Sequence, residues 1–368
     1  MKSKIPLYEP SLSNDEKRNV LKCLNKNWIS SKGEFIKKFE NSFKKKFNYK
    51  FATVTTNGTT ALHLALMSLN IKKGDEVIVP NLTYIAPVNA INYVGAKPIL
   101  VDVNKENWLM EIDKIKEKIN RKTKAILLVH LYGACYNLDQ ISFLKKRYKI
   151  KIIEDCAEAL GTKFKKKFVG SVGDISTFSF YGNKTMTTGE GGMLVTKIKS
   201  YYNKIVKLKS QGLNINKKDN FYNHDIVGYN YRMTNICAAI GFAQLKKINS
   251  FIYKKKKIDS LYRKFLKSNK INFQKIEKFC NSSYWLTTIL FKNSNMKKKV
   301  IKYLKKKNIE TRPIFKPMNQ LKMYKSSNRN FKNSMNLYSR GISLPSYPNL
   351  KLKEIKYISN NIKKIVKL

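Results

Sequence analysis

The chain has 368 residues, 42% of them hydrophobic and 12% aromatic, with a formal net charge of +50 at pH 7. Those values exclude a disordered chain and a small disulfide-stapled domain, and they leave room for two domains. The charge invites a nucleic-acid reading, but the excess is mostly lysine in scattered short runs (Lys44–Lys46, Lys165–Lys167, Lys254–Lys257, Lys305–Lys307), and arginine is scarce, so a solvated surface without a specific nucleic-acid partner is expected.

The elements read as follows. Ser13 and Glu16 form a capping box for a helix over 14–26. A second helix over 33–47 places Phe35, Phe39 and Phe43 on one face. A strand over 51–55 runs into Asn57-Gly58-Thr59-Thr60 and an apolar helix over 61–69. Short Val/Ile-rich strands at 75–80, 99–101, 125–130 and 150–154 alternate with helical patterns, one of them over 85–94 with Tyr84 at its entrance. That alternation is the signature of a parallel sheet covered on both faces. Strands over 177–180 and 193–195 flank a loop, and a helix covers 200–208. Helices are then expected up to about 247 and over 251–266, a strand over 284–291, a helix over 297–306, a strand over 310–312 and a last helix over 353–366. The expected division is a large domain, 1–245, and a small C-terminal α/β domain, 246–368, with the N-terminal segment free to pack on the smaller part.

Cys23, Cys135, Cys156, Cys237 and Cys280 have neither metal nor disulfide spacing, which fits a reducing compartment. No metal site is expected. The chain starts without an apolar signal-like run, and no apolar stretch approaches the length of a membrane span. The expectation is a cytoplasmic protein with no membrane span.

Four local signals carry chemistry. Gly58 and Thr59 sit at a strand–turn–helix junction, where free N–H groups can cradle a phosphate; the plainer reading is that Thr59 or Thr60 caps the helix. Tyr84 is an aromatic at a second such junction. Asp155 ends a strand of a parallel sheet, where ligands bind, or else caps a following helix. From Ile175 to Thr196 the only charged residues are Lys184 and Glu190. An isolated lysine in such a stretch is expected to be desolvated, which lowers an amine's pKa and makes it a nucleophile toward carbonyls, unless it merely snorkels from the core. Pyridoxal 5′-phosphate (PLP) calls for all four: a phosphate cradle, a flat side chain, a carboxylate and a lysine.

The segments PLYEPSLS, WISSKGEFIKKFE, NGTTALHLAL, GDEVIVPNLTYIA, IEDCAEALG, FSFYGNKTMTTGEGGM, GYNYRMTNICAAIGFAQL, ETRPIFKPM and SLPSYPNL occur in this order. Through them the chain resembles the sugar-nucleotide aminotransferases of the DegT/DnrJ/StrS group. TYIA, GNKTMTTGEGGM and GYNYRM are similar to the branch that makes GDP-perosamine. The resemblance implies a fold-type-I PLP-dependent transferase: an α/β large domain built on a mostly parallel seven-stranded sheet, plus a small C-terminal domain. It implies Lys184 as the residue that bonds the cofactor and moves protons. It implies Asp155 as the partner of the pyridine nitrogen, with Glu158 beside it, and Gly58, Thr59 and Ser179 at the phosphate. Tyr84 matches a ring-stacking position, and Tyr84 and Arg312 lie where the sugar nucleotide approaches. Asn230 matches an asparagine that reaches the phosphate of a neighbouring subunit, so the resemblance implies a homodimer with shared active sites. His130, in VHLYG, is read as a packed residue, and Cys156 as packing.

The implied reaction moves an amino group from L-glutamate to a 4-keto-6-deoxy sugar nucleotide. GDP-4-keto-6-deoxymannose is the first choice, with a UDP- or dTDP-linked keto sugar as runner-up, in O-antigen or other surface-glycan synthesis. Relatives that dehydrate a deoxysugar carry histidine in place of the lysine; Lys184 argues against that chemistry. A basic, non-enzymatic regulator or nucleic-acid-binding protein is the rival of another class. It leaves the least charged stretch, which is also the most motif-rich, without a purpose.

Overall fold

The computed structural model describes residues 4–214 and 223–367. Its central sheet has seven strands: β1 (Phe51–Thr55), β2 (Glu76–Pro80), β3 (Lys97–Val101), β4 (Thr123–Val129), β5 (Lys151–Asp155), β6 (Ile175–Ser179) and β7 (Gly192–Thr196). They lie in the order β1-β7-β6-β5-β4-β2-β3. Strand β7 runs antiparallel to both neighbours, and the other pairings are parallel. The strands are nearly continuous apolar runs because both faces are covered.

The helices of this part are α1 (Asn14–Asn25), α2 (Glu34–Phe47), α3 (Gly58–Ser68), α4 (Ala86–Tyr93), α5 (Ile112–Lys118), α6 (Leu138–Tyr148), α7 (Lys199–Lys209) and α8 (Asn235–Phe265). Strand alternation sends Val77, Val79, Leu127 and Ile153 to a core shared with α3, α4 and α7. It sends Ile78, Ile126, Leu128 and Ile152 to the opposite core, shared with α2, α5, α6 and α8. The α2 phenylalanines do what their spacing predicts. Phe39 and Phe43 are fully buried, and their rings meet Phe180 at 5.3 Å and Phe178 at 5.2 Å. This aromatic layer fixes the end of β6 from below and leaves Ser179, between Phe178 and Phe180, to the other side.

A second sheet is wholly antiparallel. Its strands β8 (Ile271–Phe273), β9 (Thr288–Phe291), β10 (Arg312–Pro313) and β11 (Gly341–Ser343) lie in the order β8-β9-β11-β10. Helices α9 (Ser294–Lys306), α10 (Lys332–Arg340) and α11 (Leu352–Val366) accompany it. Val300 and Leu304 of α9 and Ile358 and Ile362 of α11 fill its core with Ile289, Phe291 and Ile342. Ile5 pairs with Ile309 and joins the same core, so the N-terminal segment packs on this layer.

Several boundaries differ from the sequence reading. The two helices expected on either side of residue 248 are one, α8, and the expected boundary at 245 falls inside it. Nothing between Leu245 and Phe251 can stop a helix: there is no glycine or proline, and buried Ile248 and Phe251 continue the apolar stripe. The strand expected over 284–291 begins only at Thr288, because Tyr284 has φ 49° and cannot lie in a strand. Helix α3 begins at Gly58, ahead of the expected position, because Asn57 caps it by accepting the Thr60 N–H at 2.9 Å.

Glu154 on β5 is fully buried and fully paired. Its Oε1 accepts the N–H groups of Val172 and Gly173 at 2.9 and 2.6 Å. Its Oε2 accepts the Gly170 N–H at 2.8 Å and lies 3.0 Å from His130 Nε2. Burial raises its pKa, but His130 and the backbone N–H groups outweigh burial and hold the carboxyl below the usual range. Removing a carboxylate that four groups depend on leaves buried donors unpaired. Glu154→Ala is therefore expected to lower stability by about 3–5 kcal/mol, read as a fall in the urea midpoint at unchanged m-value.

Candidate active site

A cavity of about 470 Å³ opens at the carboxyl ends of the parallel strands, where an open α/β sheet places its ligands. Five strand ends converge on it. Asn57, Gly58 and Thr59 follow β1; Thr83 and Tyr84 follow β2; Tyr132 follows β4; Asp155 and Glu158 come from the end of β5; Ser179, Asn183 and Lys184 come from the end of β6. The second sheet closes the cavity with Trp285, Arg312 and Phe315.

One end is a cradle. The first turn of α3 carries N–H groups with no partner inside the helix, and Asn57 takes that of Thr60, leaving Gly58 and Thr59 at the wall. A Cβ on Gly58 would lie 2.8 Å from Ser179 Cβ, and one on Gly192 would lie 2.4 Å from the Asn57 carbonyl oxygen. Both glycines are therefore required for β6, β7 and the α3 turn to come this close. The plainer reading holds in part: Asn57 is the N-cap, and the Thr60 hydroxyl completes the capping box by accepting the Asn57 N–H at 3.2 Å, while Thr59 takes no part in it. Elsewhere in the lining, after β2, Thr83 Oγ1 is buried without a hydrogen-bond partner.

Asp155 is 5% exposed and accepts the Ala157 N–H on Oδ1 at 2.9 Å. The following residues make turns, so Asp155 is not the cap of a helix. Burial raises its pKa, opposed by the Ala157 N–H and by the charges of Lys184 and His130. Glu158 accepts the Tyr132 N–H at 3.0 Å, and its Oε1 lies 3.8 Å from Lys184 Nζ. Burial pushes Glu158 up to about 7 against the pull of Lys184 and that N–H.

The Lys184 side chain is 13% exposed, so it is enclosed as expected, but its surroundings are not simply apolar. A carboxylate stands on one side, and the face of Trp285 lies 4.2 Å from Nζ on the other. Trp285 belongs to a three-ring stack. Tyr132 lies 5.8 Å from Trp285 and 5.6 Å from Phe315, with interplanar angles of 13° and 2°. Tyr84, 56% exposed, leans on Phe315 at 5.8 Å.

Of the residues picked from the sequence, Gly58, Thr59, Tyr84, Asp155, Glu158, Ser179, Lys184 and Arg312 line this one cavity. Asn230 does not; it is exposed, with the Arg232 guanidinium 3.3 Å from its Oδ1. His130 is buried against Glu154, as expected of a packed residue. His130, Glu154 and Cys156 lie close enough together to suit a metal. The four hydrogen bonds to Glu154 leave it no lone pair to offer, and we assign no metal there. Tyr132, Trp285 and Phe315 were missed. Tyr132 and Phe315 sit inside VHLYG and ETRPIF, so the motifs marked them, but nothing local shows that rings so far apart in sequence stack.

The DegT/DnrJ/EryC1/StrS aminotransferase family matches residues 10–363. The GDP-perosamine synthase of Escherichia coli O157:H7 is 49% identical over 97% of this chain and 97% of its own length. A putative sugar aminotransferase of Streptococcus pneumoniae in its PLP form superposes with a TM-score of 0.93 at 26% identity, covering 99% of each chain. A GDP-4-keto-6-deoxymannose-3-dehydratase with bound GDP-perosamine superposes with a TM-score of 0.89 at 26% identity, covering 98% of this chain and 100% of the other.

The Glu158 environment has a measurable consequence. Its carboxyl is raised from 4.5 to about 7 on folding, so between those values the folded chain holds a proton that the unfolded chain has released. Its contribution to stability is complete below about pH 4.5 and is lost as the pH rises through about 7. In the protein free of any cofactor, Glu158→Gln should therefore gain melting temperature relative to wild type as the pH rises from about 5 to 8. Calorimetry across that range checks it; a difference that does not change with pH counts against the buried carboxyl.

Proposed function

The chain belongs to the DegT/DnrJ/EryC1/StrS aminotransferase family and has the fold-type-I architecture of PLP-dependent transferases. Within that family we propose that it is a PLP-dependent transaminase. The proposed reaction moves an amino group from L-glutamate to the 4-keto group of GDP-4-keto-6-deoxymannose, giving GDP-perosamine for O-antigen or other surface-glycan synthesis.

The observation that carries the reading is convergence. The α3 cradle, the buried Asp155 carboxylate and Lys184 share one cavity although they come from three separate strand ends. The residues present fit PLP. The tight cradle at Gly58 and Ser179 suits a phosphate, and Thr83 Oγ1, elsewhere in the lining of the same cavity, is buried and unpartnered. When bound, PLP supplies an aldehyde that takes up amino groups and an electron-poor ring that stabilises negative charge on the neighbouring carbon.

The chain's own residues would do the rest. Gly58, Thr59 and Ser179 bind the phosphate. Asp155 would offer the pyridine nitrogen a carboxylate, and Tyr84 would supply a flat side chain for the ring. Lys184 Nζ removes the proton from the α-carbon of the amino donor and, in the second half-reaction, delivers one to C4 of the sugar. Glu158, 3.8 Å away, is close enough to balance the charge on that amine. Trp285 covers one side of it and keeps water off. Arg312, exposed at the mouth, is the cation placed for a nucleotide diphosphate. The 49% identity to a GDP-perosamine synthase supports the GDP-linked acceptor.

We propose a cytoplasmic homodimer. Among the described residues no helix is long and apolar enough to cross a membrane. Asn230 lies on an exposed strap with Ile226 and Val227, the latter 84% exposed. A second copy covering this strap would let Asn230 reach the partner's cradle.

Two experiments test these readings. Purified wild type should show a visible absorbance band that glutamate bleaches and GDP-4-keto-6-deoxymannose restores, while Lys184→Ala should lose turnover by at least ~10⁴-fold. Restoration only by a UDP- or dTDP-linked keto sugar would move the acceptor, and a protein colourless with added PLP would overturn the cofactor. Mixing inactive Lys184→Ala with Asn230→Ala under subunit exchange should restore about a quarter of wild-type sites if each site draws on both chains. No recovery, or a monomer by sedimentation, would overturn the shared site.

A further inference from the structure

Lys255, in the middle of α8, is 1% exposed. Among the described residues it has no carboxylate within ion-pair distance. Its Nζ instead donates to two backbone carbonyls, those of Trp285 and Ser346, both at 2.8 Å, and lies 5.0 Å from the centre of the Tyr8 ring. An ammonium held by neutral groups alone is costly to bury, and burial brings this one down to about 7. An apolar side chain would fill the same space at less cost, so what the amine holds is the informative point.

Both ends of that arrangement lead to Lys184. The Trp285 indole N–H donates to the Asn183 carbonyl at 2.7 Å, and its ring faces Lys184 Nζ at 4.2 Å. The Tyr8 hydroxyl donates to the Lys184 carbonyl. Two consecutive carbonyls, Asn183 and Lys184, are thus held by the side chains of two residues that both meet the Lys255 amine, Trp285 through its backbone carbonyl and Tyr8 through its ring.

We propose that Lys255 is a positioning residue for Lys184: by tying Trp285 and Tyr8 together from beneath, it fixes the backbone that carries the reactive amine and the ring that covers it. Its catalytic part rests on the function proposed above; its structural part does not. It touches neither substrate nor cofactor, and its effect passes through Tyr8 and Trp285.

The test uses Lys255→Met, which keeps the side-chain length, Tyr8→Phe, the double variant, and Arg263→Met as a control on the same helix. The first measurement is backbone hydrogen exchange of the protein free of cofactor, followed by mass spectrometry. Lys255→Met should speed exchange at least ~10-fold across 181–186 while α3 and α9 stay unchanged, and Arg263→Met should leave 181–186 as in wild type. Unchanged exchange there, or faster exchange everywhere, would overturn the proposal whatever the cofactor is. The second measurement is the single-turnover half-reaction with glutamate. Lys255→Met should slow it ~10- to 100-fold with the half-saturating glutamate concentration altered less than ~3-fold, and the double variant should be no slower than the worse single one. A wild-type rate in Lys255→Met, or two effects that multiply, would overturn the catalytic part. A wild type that neither holds PLP nor reacts with glutamate would sink the function instead, leaving the exchange result to decide the structural part alone.

Discussion

The carboxyl end of β5 depends on a division of labour between two adjacent carboxylates. Consecutive side chains on a strand point to opposite faces. Glu154 turns into the structure, where four hydrogen bonds hold it, and Asp155 turns toward the cavity. The two acids therefore meet opposite electrostatic conditions three bonds of backbone apart. Glu154 stays ionised because its donors outweigh burial, whereas burial dominates at Asp155. The Gly170–Gly173 turn is fastened to β5 by Glu154 and leads directly into β6. The strand carrying Ser179, and beyond it Lys184, is thus placed by an acid that does not line the cavity.

The cavity is also a seam between two sheets. Its floor comes from strand ends of the seven-stranded sheet, and its far wall from Trp285, Arg312 and Phe315 beside the antiparallel sheet. Polar contacts reinforce the seam away from the site. Asp102, just after β3, accepts the N–H groups of Asn333 and Ser334 at 2.9 Å and so caps the start of α10 from the other layer. Asn81 and Asn319 exchange hydrogen bonds at 2.9 Å on the same seam. The Tyr132–Trp285–Phe315 stack supplies the apolar part of the contact. The wall beside Lys184 therefore has two functions at once, joining the two sheet layers and enclosing the amine.

The sequence made the first half of this site readable and the second half nearly opaque, for physical reasons. Each parallel strand is a short Val/Ile run followed by a turn, and Gly58, Asp155 and Lys184 announce themselves at those turns by residue type alone. The ordered motifs then told which cofactor chemistry they shared. Helix α8 was misread as two because a run of lysines hides an apolar stripe that continues through Ile248, Phe251, Ile258 and Tyr262. The ring stack joins residues 132, 285 and 315, and no local period encodes such a contact. At Asn57-Gly58-Thr59-Thr60 three residues can each cap a helix, and only the observed hydrogen bonds decide that Asn57 is the N-cap and Thr60 its reciprocal partner. Asn230 enters only through the resemblance: it does not line the cavity, and its side chain meets Arg232.

The lysine excess then separates into two populations. Most of the lysines are surface residues whose summed field draws anions toward the protein, a nucleotide sugar among them. Salt limits that field to a range of about 8 Å under physiological conditions, so it acts on encounter and says little about which anion is chosen. Choice must come from the cavity, where positive charge is sparse: Lys184 and Arg312 are the cationic residues in its wall, set against Asp155, Glu158 and Glu190. A few lysines belong to neither the field nor the wall. Lys209 is buried against Thr53, the Val54 carbonyl and Glu40, and Lys255 against two carbonyls alone. An excess of lysine can fill a surface, but it does not by itself place an ammonium where desolvation opposes it. Such positions must be held by what the amine does there, and in this fold the most deeply buried one, Lys255, meets the two residues whose side chains hold the Asn183 and Lys184 carbonyls.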